Sequence, residues 1–431
     1  MENTANKKNY TIPIIVMILL FGMISFVTNL ASPMGDILKN KFNIPNWQGT
    51  LGVFANVIAY AVMGIPAGNL LQKKGYKKTA LVAVTVGFIG VGIQTISGYV
   101  GSFGIYLLGA FVAGFSMCLL NTVVNPMLNK LGGGGNKGNQ LIQIGGTFNS
   151  LCGTAVIIIT GLLIPSIVDA KISDVFPLMY AALAIFAVGF LVILLTKIPE
   201  NEQKAVEQVK GGKGPMAFRH FVLGAIAIFI YVGVEVGIPN ILNKWLQNPE
   251  LNVLGSGVNA EAVAGSVAAT YWFLMLVGRL IGGIIGNKVS AKAMLTVVSL
   301  VGIILTLLAM FGPQTMVKFP AFNGAKGFGL ERIPLNAAFL VCIGLCTSVM
   351  WGGIFNLAVE GLGKYTEKAS GIFMALVCGG GILPLLQNAI VDGLGGVGYL
   401  QSYWVIVAGL AFLLFYALWG SKNVNKDIPV E

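Results

Sequence analysis

Three charged residues lie inside or at the edge of long apolar stretches of the sequence, where a charge is hardest to accommodate. Glu235 lies between Gly233 and Gly237, with no other charge for several residues on either side. Asp36 lies near the end of the first apolar stretch, and Arg279 lies within another. A charge inside a membrane-spanning helix costs about 2.5–3.5 kcal/mol, so such residues usually line a polar cavity. Each is a candidate for binding a cation or a polar ligand.

Amide and aromatic side chains occur in the same stretches, and these groups suit a polar, uncharged ligand. Amides donate and accept hydrogen bonds, and aromatic faces can pack on a ring. A single amide can instead bridge two helices, which contributes about 0.6–2 kcal/mol. The candidates for contacts with a ligand are Asn29, Asn121, Asn125, Gln143, Asn149, Asn356, Gln387 and Asn388 among the amides, and Tyr231, Trp272 and Trp351 among the aromatic residues.

The composition indicates a membrane protein. Of the 431 residues, 56% are hydrophobic and only 10% are charged, whereas a soluble domain carries about 25% charged residues. The 58 glycines recur inside the apolar runs, as is common in membrane helices.

Runs of about 20 apolar residues predict twelve membrane spans. The first begins near Ile12 and is longer than the apolar core of a signal peptide, about 7–15 residues. A polar linker at 199–216 separates a six-helix bundle at 1–198 from another at 217–431. The predicted spans are 12–38, 49–71, 79–98, 103–128, 140–165, 175–196, 218–243, 262–287, 292–312, 335–358, 368–391 and 398–420.

The distribution of Lys and Arg predicts the orientation. If both termini are cytoplasmic, the inner segments hold 19 of these residues, the outer segments hold seven, and Arg279 completes the total of 27. Such an excess favours cytoplasmic termini and a cytoplasmic linker. The formal charge of +11 is spread over short loops, which argues against nucleic-acid binding.

The sequence also argues against an enzyme. The only histidine is His220, and neither a nucleophile–histidine arrangement nor an HExxH motif is present. Cys342 and Cys346 lie one helical turn apart, without a histidine or carboxylate nearby to complete a metal site. We therefore expect neither a structural metal nor a cofactor.

Five short motifs occur in order along the chain, and they carry a resemblance that covers nearly all of it. They are Met34–Leu38, Asn121–Pro126, Thr147–Gly153, Tyr231–Val236 and Phe355–Lys364. With them the chain resembles the sugar permease branch of the major facilitator superfamily that contains the fucose:proton and glucose/galactose transporters. The loop Gly68–Lys78 is similar to the superfamily's loop between spans 2 and 3, with Gln72 where an Asp is usual.

The resemblance implies an all-α fold of twelve transmembrane helices in two bundles, in the inner membrane of a bacterium. It also implies roles for individual residues. Glu235 matches an acid of the glucose/galactose branch, and Asp36 matches a carboxylate important for proton coupling in the fucose branch. Asn121 stands where the fucose branch has a Glu. We therefore expect cation coupling first at Glu235 and second at Asp36, with H⁺ or Na⁺ as the coupling ion.

The expected function is cation-coupled symport of a monosaccharide into the cell by alternating access, with the sugar, the cation and the bilayer as partners of a monomer. One alternative is a larger N-acetylated sugar or sugar acid, such as N-acetylglucosamine or sialic acid, which Arg279 would favour if it reaches the cavity. An alternative of a different class is a non-transporting membrane sugar sensor.

Overall fold

The computed structural model describes residues 10–42, 51–163, 172–200, 214–425 and 427–430. Most of the predicted linker, residues 201–213, lies outside the described residues. Long helices dominate the rest, because a chain in lipid must satisfy its backbone hydrogen bonds within each segment.

The first 200 residues form five described helices. Helix α2 contains a break at Gly75, whose φ of 79° is not helical, and so divides into two lengths. A short 3₁₀ turn, Ile172–Val175, precedes the last helix. The helices are α1 Thr11–Phe42, α2 Leu51–Val100, α3 Phe103–Leu131, α4 Gly135–Leu163 and α5 Phe176–Leu195.

The remaining residues form shorter and more interrupted helices. Asn259 and Ser290 cap the starts of α7 and α8 by accepting hydrogen bonds from backbone N–H groups three residues on, at 3.0 and 3.1 Å. The helices are α6 Arg219–Gln247, α7 Ala260–Ile285, α8 Ala291–Phe311, α9 Leu335–Thr347, α10 Met350–Val359, α11 Thr366–Ala375, α12 Gly379–Leu394, α13 Gly398–Gln401 and α14 Trp404–Phe415, with a π-helical turn at Tyr416–Gly420.

The predicted spans have helical counterparts in order. Nine stretches of the described chain are long and apolar enough to cross a membrane. One of these, Phe54–Val100, holds 47 residues and covers two predicted spans, since about 20 residues suffice for one crossing. The shorter apolar stretch Trp404–Gly420 and helix α4 match the remaining predicted spans.

A β-hairpin that the sequence analysis missed connects α8 to α9. Strand β1, Met316–Phe322, pairs antiparallel with β2, Phe328–Pro334. Gly327, with a φ of 75°, ends the turn between the strands. Each strand is only seven residues long. The segment lies between two apolar runs in the sequence and is too short and too polar to be predicted as a membrane span.

The chain folds into two compact units. One takes in the described residues of Met1–Gly214 together with Gly363–Ala375, and the other takes in Pro215–Leu362 and Leu376–Val430. Helix α11 therefore belongs by its contacts to the first unit, although the predicted second bundle includes it. Gly371 of α11 packs directly on Gly68 of α2, where a side chain on either residue would collide with the facing backbone.

A carboxylate from outside α2 caps the start of its second length, directly after the break. Glu200 accepts hydrogen bonds from the backbone N–H groups of Tyr76 and Lys77, at 2.8 Å each. These donors begin the second length of α2 and would otherwise lack helical partners. Glu200 thus caps the length of α2 that begins after Gly75. The Lys77 ammonium adds a second connection to the end of α5 by donating to the carbonyl oxygens of Leu194 and Thr196.

Replacing Glu200 by Ala should lower stability, because two backbone donors lose their acceptor. Loss of such a cap costs about 1 kcal/mol, which should appear as a lower melting temperature of the detergent-solubilised protein. Glu250→Ala, which removes another exposed carboxylate, is the matched control. Equal melting of the two variants would contradict the capping role.

Candidate functional site

The second unit contains a mostly buried ion pair between α6 and α7. The guanidinium Nη2 of Arg279 lies 3.3 Å from Oε1 of Glu235, and each side chain is only 13% exposed. Taking two such charges out of water costs several kcal/mol each, which the pairing must offset. The two intramembrane charges that stood out in the second half of the sequence are thus partners, and Arg279 does not reach back to the surface.

A helix break supplies Arg279 with a second acceptor. Helix α9 ends at Thr347 and α10 begins at Met350, and the carbonyl oxygen of Ser348 between them accepts from Nε of Arg279 at 3.4 Å. Gly278 allows this approach, because a Cβ there would collide with the Ser348 hydroxyl. An interrupted helix in a membrane is tolerated where it lines a polar site.

Aromatic residues surround the pair. Tyr231 lies one turn before Glu235 on the same face of α6, is fully buried and interacts electrostatically with both Glu235 and Arg279. Its ring meets that of Trp351 edge-on, with the centroids 6.4 Å apart. On the neighbouring helix the Tyr271 hydroxyl is hydrogen-bonded to that of Thr347 at 2.9 Å. The pair therefore lies among rings and hydroxyls.

Gln387 lies at a tight contact between α6 and α12, on a face of α6 away from Glu235, because Gly233 and Gly237 are each two residues from Glu235. Gly379 packs on the backbone of Phe229, and four residues further along Gly233 packs on Leu383. At the next step Gly237 faces the Gln387 amide so closely that a Cβ would strike its oxygen. Gln387 is fully buried, and within the described chain neither its amide nitrogen nor its oxygen has a hydrogen-bond partner. An unsatisfied buried amide costs about 1–3 kcal/mol, so this side chain is a good candidate for contact with a ligand.

The amides of the first unit mainly connect helices or turns. The Asn121 amide donates to the Tyr60 hydroxyl at 2.7 Å, and Asn125 donates to the Asn121 carbonyl oxygen at 2.9 Å. The Asn149 amide reaches the Phe21 carbonyl oxygen of α1 at 2.6 Å. Asn29 donates to Ser25 within its own helix at 2.8 Å.

The other candidates are more scattered. Gln143 and Asn356 are buried, at 2% and 6% exposure. Asn388 accepts from Lys244 at 2.7 Å, near the end of α6, and Trp272 is 43% exposed beside Tyr271. Asp36 belongs to α1, but its side chain lies outside the described residues.

The structure therefore brings together Tyr231, Glu235, Arg279 and Trp351, whereas Gln387 packs against another face of α6. Sequence reasoning missed Ser348, Tyr60 and Tyr271, which contact Arg279, Asn121 and Trp272, and Thr347, which is hydrogen-bonded to Tyr271. Gly278 directly before Arg279 was the one available signal of a close approach. Within the described residues, no group of three His, Cys, Asp or Glu side chains could hold a metal ion.

Comparison with known proteins identifies the family. Residues 14–385 match the profile of the Major Facilitator Superfamily, so the chain belongs to this superfamily of transporters. The predicted fold class and family are thereby confirmed.

Among its relatives is the glucose/galactose transporter of Brucella abortus biovar 1 (strain 9-941), which is 29% identical over 97% of each chain. The L-fucose-proton symporter of Escherichia coli (strain K12) is 22% identical over 92% of this chain and 90% of the relative. Among solved structures, the superfamily transporter FucP in the outward conformation has a TM-score of 0.81 at 19% identity, covering 96% of this chain and all of FucP. The structural likeness concerns the fold.

Removing one member of the ion pair should destabilise the protein more than removing both. Arg279→Met leaves Glu235 buried without its counter-charge, so its melting temperature should fall below that of Glu235→Gln/Arg279→Met. Melting of the two single variants and the double variant in detergent forms a double-mutant cycle. Strictly additive effects would show that the two residues do not interact.

Proposed function

We propose that this protein is a secondary active transporter that carries a monosaccharide into the cell together with a cation, by alternating access. The observation that carries the proposal is the buried Glu235–Arg279 pair. A charged residue inside a membrane helix lowers stability, and such residues are usually kept because they have a function. The names of the relatives, a glucose/galactose transporter and an L-fucose-proton symporter, support both the sugar and the coupling.

The ion pair offers a way to couple the two substrates. A proton bound to Glu235 removes the charge that holds Arg279, and the freed guanidinium N–H groups can then donate to sugar hydroxyls. Binding of the proton therefore strengthens binding of the sugar. By thermodynamic linkage, binding of the sugar strengthens binding of the proton to the same extent. When the proton leaves, the ion pair reforms and the sugar loses its donors. Asp36 remains the second candidate for coupling.

The surroundings of the pair suit a neutral sugar. Before a proton binds, Glu235 balances the charge of Arg279, and the uncharged hydroxyls of a sugar need only the hydrogen-bond donors that protonation of Glu235 releases. The rings of Tyr231 and Trp351 suit the apolar face of a hexose, and the guanidinium of Arg279 suits its hydroxyls. We therefore assign a hexose or a close derivative as substrate.

A single carboxylate beside a guanidinium favours H⁺ over Na⁺ as the coupling ion. A proton needs one basic oxygen, whereas a metal cation needs several oxygen ligands and is repelled by the nearby arginine. The same proposal places the protein in the inner membrane of a bacterium with both termini cytoplasmic. It acts as a monomer.

Uptake of labelled sugars into proteoliposomes, under a proton gradient or a Na⁺ gradient, tests the function. The panel should contain glucose, galactose, mannose, fucose, N-acetylglucosamine and sialic acid. Accumulation of a neutral hexose under the proton gradient alone is the expected result. Accumulation of sialic acid would instead favour the sugar-acid alternative. No accumulation of any sugar would contradict the proposal and favour a non-transporting sensor.

Glu235→Gln should abolish accumulation of the sugar driven by the proton gradient, because the amide cannot release a proton. Exchange of labelled for unlabelled sugar should survive, since exchange needs no net proton movement. Glu261→Gln, at an exposed acid in the first turn of α7, should leave both activities unchanged. If Glu235→Gln still accumulates sugar, the proton binds elsewhere, with Asp36 as the next candidate.

A further inference from the structure

The hairpin between α8 and α9 has two unlike faces. In the antiparallel register Lys318 lies opposite Arg332 and Phe322 lies opposite Phe328, so these pairs share one face because side chains alternate along a strand. The other face is mostly buried or half-buried. The first, which we call the exposed face, consists of Met316, Lys318, Pro320, Phe322, Phe328, Leu330 and Arg332, all exposed.

The part of the exposed face nearest the turn is apolar. Phe322 is 47% exposed, Leu330 is 67% exposed and Phe328 is 73% exposed. Large apolar side chains clustered at such exposure mark a surface that contacts lipid or a partner. Aromatic residues in particular are enriched where a membrane meets water.

The part near the base of the hairpin is cationic. Lys318 and Arg332 are direct cross-strand partners, and like charges in this arrangement repel one another. Both strands lie wholly within the described chain, and their exposed face carries no acidic residue. Glu331 lies on the opposite face, where it accepts a hydrogen bond from Asn323 at 2.8 Å. An external anion would relieve the repulsion.

The hairpin runs beside the first turns of α7, a helix long and apolar enough to cross a membrane. The backbone N–H of Phe322 donates to the Ser266 hydroxyl of α7 at 3.0 Å, and that of Asn259 donates to Asn323 at 3.0 Å. Ser266 is six residues into α7, so the strand runs beside the helix, about 9 Å from its start. Helix α7 has 26 residues and is about 39 Å long. It exceeds the hydrocarbon thickness of about 30 Å by about 9 Å, which is also the distance from its start to Ser266.

We propose that the exposed face of this hairpin binds the surface of the bilayer. Phe322, Phe328 and Leu330 enter the boundary between headgroups and acyl chains, and Lys318 and Arg332 bind the phosphates of anionic phospholipids. Apolar side chains backed by cations are the combination by which peripheral segments bind anionic membranes. This role is independent of the transported substrate.

The depth of Phe328 can be measured with the full-length protein reconstituted in vesicles. Phe328→Trp adds a fluorophore on the exposed face, and the wild-type protein supplies the background of the native tryptophans. Brominated acyl chains should quench the added fluorescence at least twofold more strongly than that of Phe319→Trp, a control on the opposite face. Phe322→Trp is a second reporter, should the first variant fold poorly.

The lipid headgroup is tested by removing the cations. Adding Lys318→Gln and Arg332→Gln to Phe328→Trp should reduce the quenching in vesicles containing phosphatidylglycerol, and leave it unchanged in phosphatidylcholine alone. Three results would overturn the proposal. The first is quenching of Phe328→Trp by aqueous iodide and not by brominated lipid. The second is no effect of the charge removal in vesicles that contain phosphatidylglycerol, and the third is a signal that follows the protein-to-lipid ratio. The last would assign the face to a protein partner.

Discussion

The arrangement of the second unit follows from holding a carboxylate and a guanidinium together inside an apolar bundle. Glu235 and Arg279 lie on different helices, so α6 and α7 must approach closely enough for a 3.3 Å contact. The interruption between α9 and α10 offers Arg279 a backbone acceptor. An unbroken helix would have used that carbonyl oxygen in its own hydrogen bonds, so the break leaves it available to Arg279.

Glycines make the required approaches possible. Gly278 gives room to Ser348 beside Arg279, and Gly233 and Gly237 let α12 pack against α6 in four-residue steps. Small residues at helix contacts are the means by which membrane helices pack closely, since lipid provides no hydrophobic drive between them. The same device operates in the first unit, where Gly371 meets Gly68. The glycines flanking Glu235 thus form the contact between α6 and α12, on a face of α6 away from the Glu235 side chain.

Much of the fold could be predicted because the membrane imposes it. Long apolar runs predicted the helices, and the charge inside one of them pointed to Glu235. Which charges would pair could not be predicted, because the rotation of each helix is set by packing. The same limit applied to Asn121, an amide that contacts Tyr60 in the structure. The hairpin at Met316–Pro334 escaped prediction because its strands are short and alternate only weakly between polar and apolar residues.

In the proposed mechanism a proton opens the Glu235–Arg279 pair when sugar binds. Infrared difference spectroscopy of the purified protein, recorded with and without the transported hexose, can detect this proton. Sugar should produce the carbonyl stretch of a newly protonated carboxyl group, and that band should be missing in Glu235→Gln. A band of equal size in Glu235→Gln would place the proton on another group and contradict the account.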